Sequence, residues 1–179
     1  MPTIEALNAM SVQEFTEILG SIFEHSPWVA ARAAGLRPFA SVELLHQALC
    51  QQLAQASVAE QDAVIQAHPR LGARGRQRAQ LTQSSASEQH RAGLDACTDA
   101  QFSELLRLNE LYLARFGFPF ILAVRGHTPE SILAALNQRL RHDRETERAT
   151  AMQQINRIAG FRLSDRIAAA PNSAAQETQ

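Results

Sequence analysis

The stretch "TDAQFSELLRLNELYLARFGFPFILAVRG", residues 98–126, changes its grammar halfway. Up to Phe116 its apolar residues Phe102, Leu105, Leu106, Leu108, Leu111, Tyr112 and Leu113 fall at spacings of three and four, the signature of one helix face. Gly117 closes the helix. From Phe118 the run is continuously apolar and carries Pro119, so it reads as a buried extended segment near residues 117–125.

Helical grammar extends outward in both directions. Ser11 and Glu14 form a capping box before a stripe of Val12, Phe15, Ile18 and Leu19, with Gly20 as the stop. A short helix starts at Pro27, ends at Gly35 and carries Trp28 as a core anchor. Ser41 caps a helix whose inward residues are Leu44, Leu45, Ala48, Leu49 and Leu53. Ser57 with Glu60 opens the next, which Pro69 must end because it pushes His68 out of the helical region. Ser85 with Glu88 starts a short helix, and Thr128 with Pro129 another. A long helix covers Glu145 to Ile158 and a shorter one Leu163 to Ala168. No alternation at period two persists, so the expected class is all-α: a single-domain bundle of about eight helices over residues 1–168, with a disordered tail at 169–179.

Composition limits the chemistry. All 17 basic residues are arginine, which excludes a lysine Schiff base and a P-loop lysine. A net charge of -1 argues against non-specific nucleic-acid binding. Cys50 and Cys97 lie far apart, and no apolar run reaches membrane-spanning length, so a reducing, cytoplasmic setting with no membrane partner is expected. The six histidines show no metal-ligand spacing, so no metal is expected.

Three stretches exceed structural need. His68 at a helix exit either caps carbonyls or, aimed by Pro69, serves as a general acid or base. Glu88 either completes a capping box or faces a site, and the amide of Gln89 suits a urea or imide edge. The segment Phe120 to Val124 is either a satisfied connector or a backbone that offers N–H and C=O groups to a planar ligand. Arg125 either reaches solvent or forks onto a carboxylate.

"AHPRLG" at 67–72, "SASEQHRAGL" at 85–94 and "LNELYLARFGFPFILAVRG" at 108–126, with "MSVQEFTEILGSIFEHSPWVAARAAGLRPF" near the start, together resemble the 2-oxo-4-hydroxy-4-carboxy-5-ureidoimidazoline (OHCU) decarboxylases of purine degradation. The resemblance implies an all-α fold, no cofactor, and conversion of OHCU to (S)-allantoin with loss of CO2. It places catalysis on His68 and Glu88. It places substrate binding on Pro69, Ser85, Ala86, Ser87, Glu88, Gln89, Phe120, Ile121, Leu122, Ala123, Val124 and Arg125, and it allows a homodimer. Arg70 departs from the His-Pro-Asp-Leu of many members, so no role of that aspartate carries over. The arginines at 70, 74, 76 and 78 are either a solvated rim or a steering patch for an anion. The rival reading is a non-catalytic helical module that binds a ureide or purine-derived ligand.

Overall fold

The computed structural model describes residues 1–72, 81–92, 94 and 97–168. The expected tail and three of the basic-loop arginines, Arg74, Arg76 and Arg78, lie outside the described residues. Among the described residues the regular structure is entirely helical, as the periodicity requires. The chain forms two compact units, one of Met1–Ala56 with Ala159–Gln179 and one of Ser57–Ile158.

The first unit holds α1 (Ile4–Ala9), α2 (Val12–Leu19), α3 (Pro27–Ala33) with a 3-10 turn at Ala34–Leu36, and α4 (Val42–Ala54). Its α3 packs against both α2 and α4. Ser11 and Glu14 make the expected capping box, and Ser41 caps Leu44 N at 3.3 Å. Phe15, Leu19, Ile22, Phe23, Val29, Leu45, Leu49 and Leu53 form the core. Three expectations are corrected. Val12 sits exposed in the first turn of α2. Leu44 is exposed because it lies roughly 100° around the helix from the stripe of Leu45, Ala48, Leu49 and Leu53. Trp28 is only half-buried, with Arg32 stacked 4.3 Å from its ring centroid. The six-residue α1, capped by Thr3, is too short to show a period and was not expected.

The second unit contains α5 (Val58–Ala67), α6 (Gln83–Arg91), α7 (Asp99–Phe116), α8 (Pro129–Arg139) and the first part of α9 (Arg144–Ser164). The stripe of α7 is narrower than the sequence reading: Leu105, Leu108, Tyr112 and Phe116 are buried, while Leu106 and Leu111 flank it and are exposed. The cap of α6 is Thr82, not Ser85; Thr82 Oγ1 accepts from Ser85 N at 3.3 Å, and Ser85 is buried inside the helix. The expected long C-terminal helix runs on as α9 to Ser164, with Gly160 helical and a Cβ there 3.3 Å from the His46 imidazole. The expected separate helix at Leu163–Ala168 is corrected, because only Leu163 and Ser164 are helical, as the end of α9.

Gly117 ends α7 in the left-handed conformation (φ 79°), where its N–H returns to Leu113 O at 2.8 Å. The following Phe118, Phe120, Ile121, Leu122, Ala123 and Val124 are all buried without helix or strand, as the broken period foretells. A turn at Gly126 (φ 82°), closed by His127 N to Val124 O at 2.9 Å, leads into α8.

Candidate active site

His68 is the residue that ends α5. Its ψ of 132° is what the following Pro69 demands. The ring, 7% exposed, turns back so that Nδ1 lies 3.0 Å from the Val64 carbonyl of the same helix. A carbonyl can only accept, so Nδ1 carries the proton and Nε2 is the basic nitrogen of the neutral ring. Capping and aiming are therefore compatible: one nitrogen satisfies the helix end, and the bond fixes the direction of the other.

The loop after His68 is clamped from two helices. Gln89 on α6, 6% exposed, accepts from Gly72 N at 3.0 Å and donates to Arg70 O at 3.1 Å. Asn109 on α7, 4% exposed, donates to Leu71 O at 3.2 Å. Gly72 holds φ 79°, and a Cβ there would meet Leu105 Cδ2 at 2.5 Å. Glycine is needed both for the backbone angle and for close approach to α7. Arg70 itself points outward and pairs with the exposed Glu110.

Ser85, Gln89 and Ala92 form the buried face of α6, with Glu88 half-buried beside them at helical spacing from Ser85. Since Thr82 is the cap, Glu88 does not complete a capping box with Ser85. Ala86 is half-buried, but Ser87 faces away from this surface and is exposed. Gln66 Nε2, in the last turn of α5, donates to Gly117 O at 2.7 Å, which ties the helix bearing His68 to the start of the apolar segment. Arg125, just past that segment, is exposed.

Within the segment, Ile121 O accepts from Arg139 Nη1 at 2.5 Å, and Ala123 N donates to Gln154 Oε1 at 3.0 Å. Among the described residues, no protein partner meets the N–H groups of Leu122 and Val124. Unpaired backbone donors in a buried segment are rare, so these two N–H groups call for a partner beyond the described protein atoms, a water or a ligand. Behind the segment, burial and then the hydrogen bond to Glu147 push the Tyr112 phenol well above its ordinary range.

Sequence reasoning missed Asn109. Its signal was a polar residue at a buried position of an apolar stripe, which implies a partner that only the tertiary structure names. Elsewhere, Cys50 Sγ lies 3.3 Å from His46 Nε2, but burial pushes the thiol up to about 11, so it is not a thiolate nucleophile near neutral pH. Among the described residues no three His, Cys, Asp or Glu side chains gather to hold a metal ion.

Comparison with known proteins defines the family. The family model described as OHCU decarboxylase matches residues 8–164. The chain is 40% identical over 165 residues to the 2-oxo-4-hydroxy-4-carboxy-5-ureidoimidazoline decarboxylase of Haloferax volcanii, covering 92% of this chain and 96% of that one. It is 46% identical over 167 residues to the uric acid degradation bifunctional protein PucL of Bacillus subtilis, covering 93% of this chain but only 33% of that longer one. Among solved structures, one described as (S)-allantoin synthase superposes with a TM-score of 0.77 at 30% identity, over 94% of this chain and 54% of that chain. The class is thus a helical lyase, and within it a decarboxylase. The chain belongs to the OHCU decarboxylase family.

Proposed function

We propose that this chain decarboxylates OHCU to (S)-allantoin and CO2 in urate degradation, with His68 as general acid and base. The substrate carries a carboxylate on a carbon that also bears a hydroxyl and adjoins a C=N bond. When the C–CO2 bond breaks, its electron pair enters that C=N system, so the substrate acts as its own electron sink. That agrees with a chain that has no lysine. The enzyme's part is to hold the carboxylate out of the ring plane, take the hydroxyl proton as the carbon that lost CO2 becomes a carbonyl, and deliver a proton to one face of the neighbouring carbon of the former C=N bond.

The observation that carries the assignment is the Nδ1 contact of His68 with Val64 O, which sets the tautomer and makes Nε2 the group that exchanges protons. Such a positioned group contributes about 10²–10⁴-fold in rate. Glu88, half-buried on α6, holds the ureido group or the imidazolium that forms. Pro69, Ser85 and Ala86 line the substrate, and the backbone of Phe120 to Val124 reads its ring and ureido edges. Gln89 contributes through the loop: both ends of its amide are engaged with Arg70 and Gly72, so it fixes His68 as well as bordering the ligand. Ser87 and Arg125, both exposed, complete the proposed set.

Residues 1–168 are proposed as the decarboxylase domain, and the matched span 8–164 supports those limits. No helix among the described residues is long and apolar enough to cross a membrane. A cytoplasmic location is part of the proposal, supported by Cys50 and Cys97 both being thiols rather than a disulfide. A homodimer is proposed from the family resemblance, with sedimentation velocity as its check.

The test is CO2 release together with circular dichroism of the product from freshly generated OHCU. Faster CO2 release than the spontaneous decay, with a dichroic (S)-allantoin signal, is expected. Binding of (S)-allantoin without any acceleration of decarboxylation would reject the enzyme reading.

A further inference from the structure

Behind the apolar segment lies a buried charge cluster that the chemistry above leaves unused. Glu147, 0% exposed, takes three donors: Arg139 Nε at 2.7 Å and the Tyr112 hydroxyl on one oxygen, and His142 Nδ1 at 2.8 Å on the other. Arg115 Nη2 holds the His142 carbonyl at 3.0 Å. Arg139, 6% exposed, lies 4.6 Å from the Phe120 ring centroid and extends its remaining prong to Ile121 O at 2.5 Å. A buried ion pair is weak evidence for stability, because desolvating both charges cancels much of their attraction and well-packed apolar side chains do as well. A role in fixing geometry accounts for it better.

The geometry is that of one peptide plane. Ile121 C=O and Leu122 N–H belong to the same planar trans unit, so they point in opposite directions. Holding the Ile121 oxygen on Arg139 aims the Leu122 N–H away from the charge cluster. The next plane is treated the same way: Gln154 holds Ala123 N–H, so Leu122 C=O points away from Gln154. The two anchors together present a donor and an acceptor from Leu122, the pair that a ureide or cyclic amide edge requires.

We infer that Arg139, braced by Glu147, Tyr112 and His142, is a positioning residue for substrate, acting through Ile121 to orient the Leu122 peptide against the ureide edge. This rests on the site reading given above. The arrangement needs arginine: its rigid fork meets Glu147 and Ile121 at once, whereas a lysine ammonium is a single point charge.

Arg139→Lys keeps the charge that Glu147 requires and removes the second prong. In the folded variant, KM for OHCU and Kd for (S)-allantoin should rise about tenfold, roughly 1.4 kcal/mol, with kcat changed by less than about threefold, as expected when an interaction shared by ground and transition state is lost. A purely structural role predicts the opposite split, a smaller active fraction with unchanged KM and Kd. Tyr112→Phe, which keeps the ring but removes one donor to Glu147, should raise Kd about two- to fivefold, and it decides the matter if Arg139→Lys does not fold.

Amide resonances separate the two layers of the argument. If (S)-allantoin fails to shift the Leu122 amide in the wild type, the site reading and this inference both fall. If it shifts that amide, yet the folded variants bind with wild-type Kd, only the positioning role of Arg139 is overturned.

Discussion

Gln89 and Gly72 are joined by a 3.0 Å hydrogen bond from the glycine N–H to the glutamine side-chain oxygen, across 17 residues of sequence. The same amide donates to Arg70 O at 3.1 Å, so one side chain fixes the loop that begins at His68. Gln89→Ala would leave a buried N–H and a carbonyl unsatisfied, which costs about 1–3 kcal/mol per group. The expected outcome is a lower kcat, faster hydrogen exchange at the Gly72 amide, and a smaller change in KM. A large rise in KM with unchanged exchange at Gly72 would mean that Gln89 acts only by touching the substrate.

Gly72 tests the close approach of the same loop to α7. An alanine there must adopt φ near 79° and put its Cβ 2.5 Å from Leu105 Cδ2. Strain and overpacking together should destabilise Gly72→Ala by on the order of 2–5 kcal/mol in urea unfolding. Adding Leu105→Ala removes the collision but keeps the backbone strain and opens a cavity in the core, so the double variant should also stay below wild-type stability. Wild-type stability of Gly72→Ala would contradict the described path of the loop.

Alkaline pH should weaken the fold, and the sign follows from two groups. The Cys50 thiol is raised by burial from an ordinary 9.0 to about 11, and the Tyr112 phenol is raised by burial and by its bond to Glu147. Above pH 9 the unfolded chain loses the Cys50 proton while the folded chain keeps it; above pH 10 the same holds for Tyr112. The unfolded state then binds fewer protons, so stability falls as pH rises through this window. The urea midpoint should be level between pH 7 and 8.5 and decline from pH 9 to 11, and Cys50→Ala should flatten the first part of that decline. A level profile to pH 11 would contradict the burial of both groups.

Much of this structure was legible in the sequence because its helix ends are written in local chemistry. Ser11, Ser41, Ser57 and Thr128 all cap where the pattern places them, and Gly117 ends α7. The exception is instructive: "TQSSASEQ" offers several cap residues in a row, and the choice of Thr82 over Ser85 turns on Ser85 being buried, which no local rule reveals. The His68-Pro69 turn and the break after Gly117 could be read for the same local reason. Asn109 and Arg139 could not, because their meaning lies in partners 38 and 18 residues away, the carbonyls of Leu71 and Ile121. Arg70, where the chain departs from the aspartate of many family members, pairs with Glu110 at the surface, and an exposed pair of that kind has little energetic weight.

His68, whose Nδ1 lies 3.0 Å from Val64 O, is the residue proposed to exchange protons through Nε2. The direct measurement is the rate and circular dichroism of allantoin formed from fresh OHCU by His68→Asn, with its fold checked by far-ultraviolet dichroism. The predicted result is a rate about 10²–10⁴-fold below the wild type and a product no more optically active than that of spontaneous decay. A folded His68→Asn protein that makes (S)-allantoin at the wild-type rate would contradict the account.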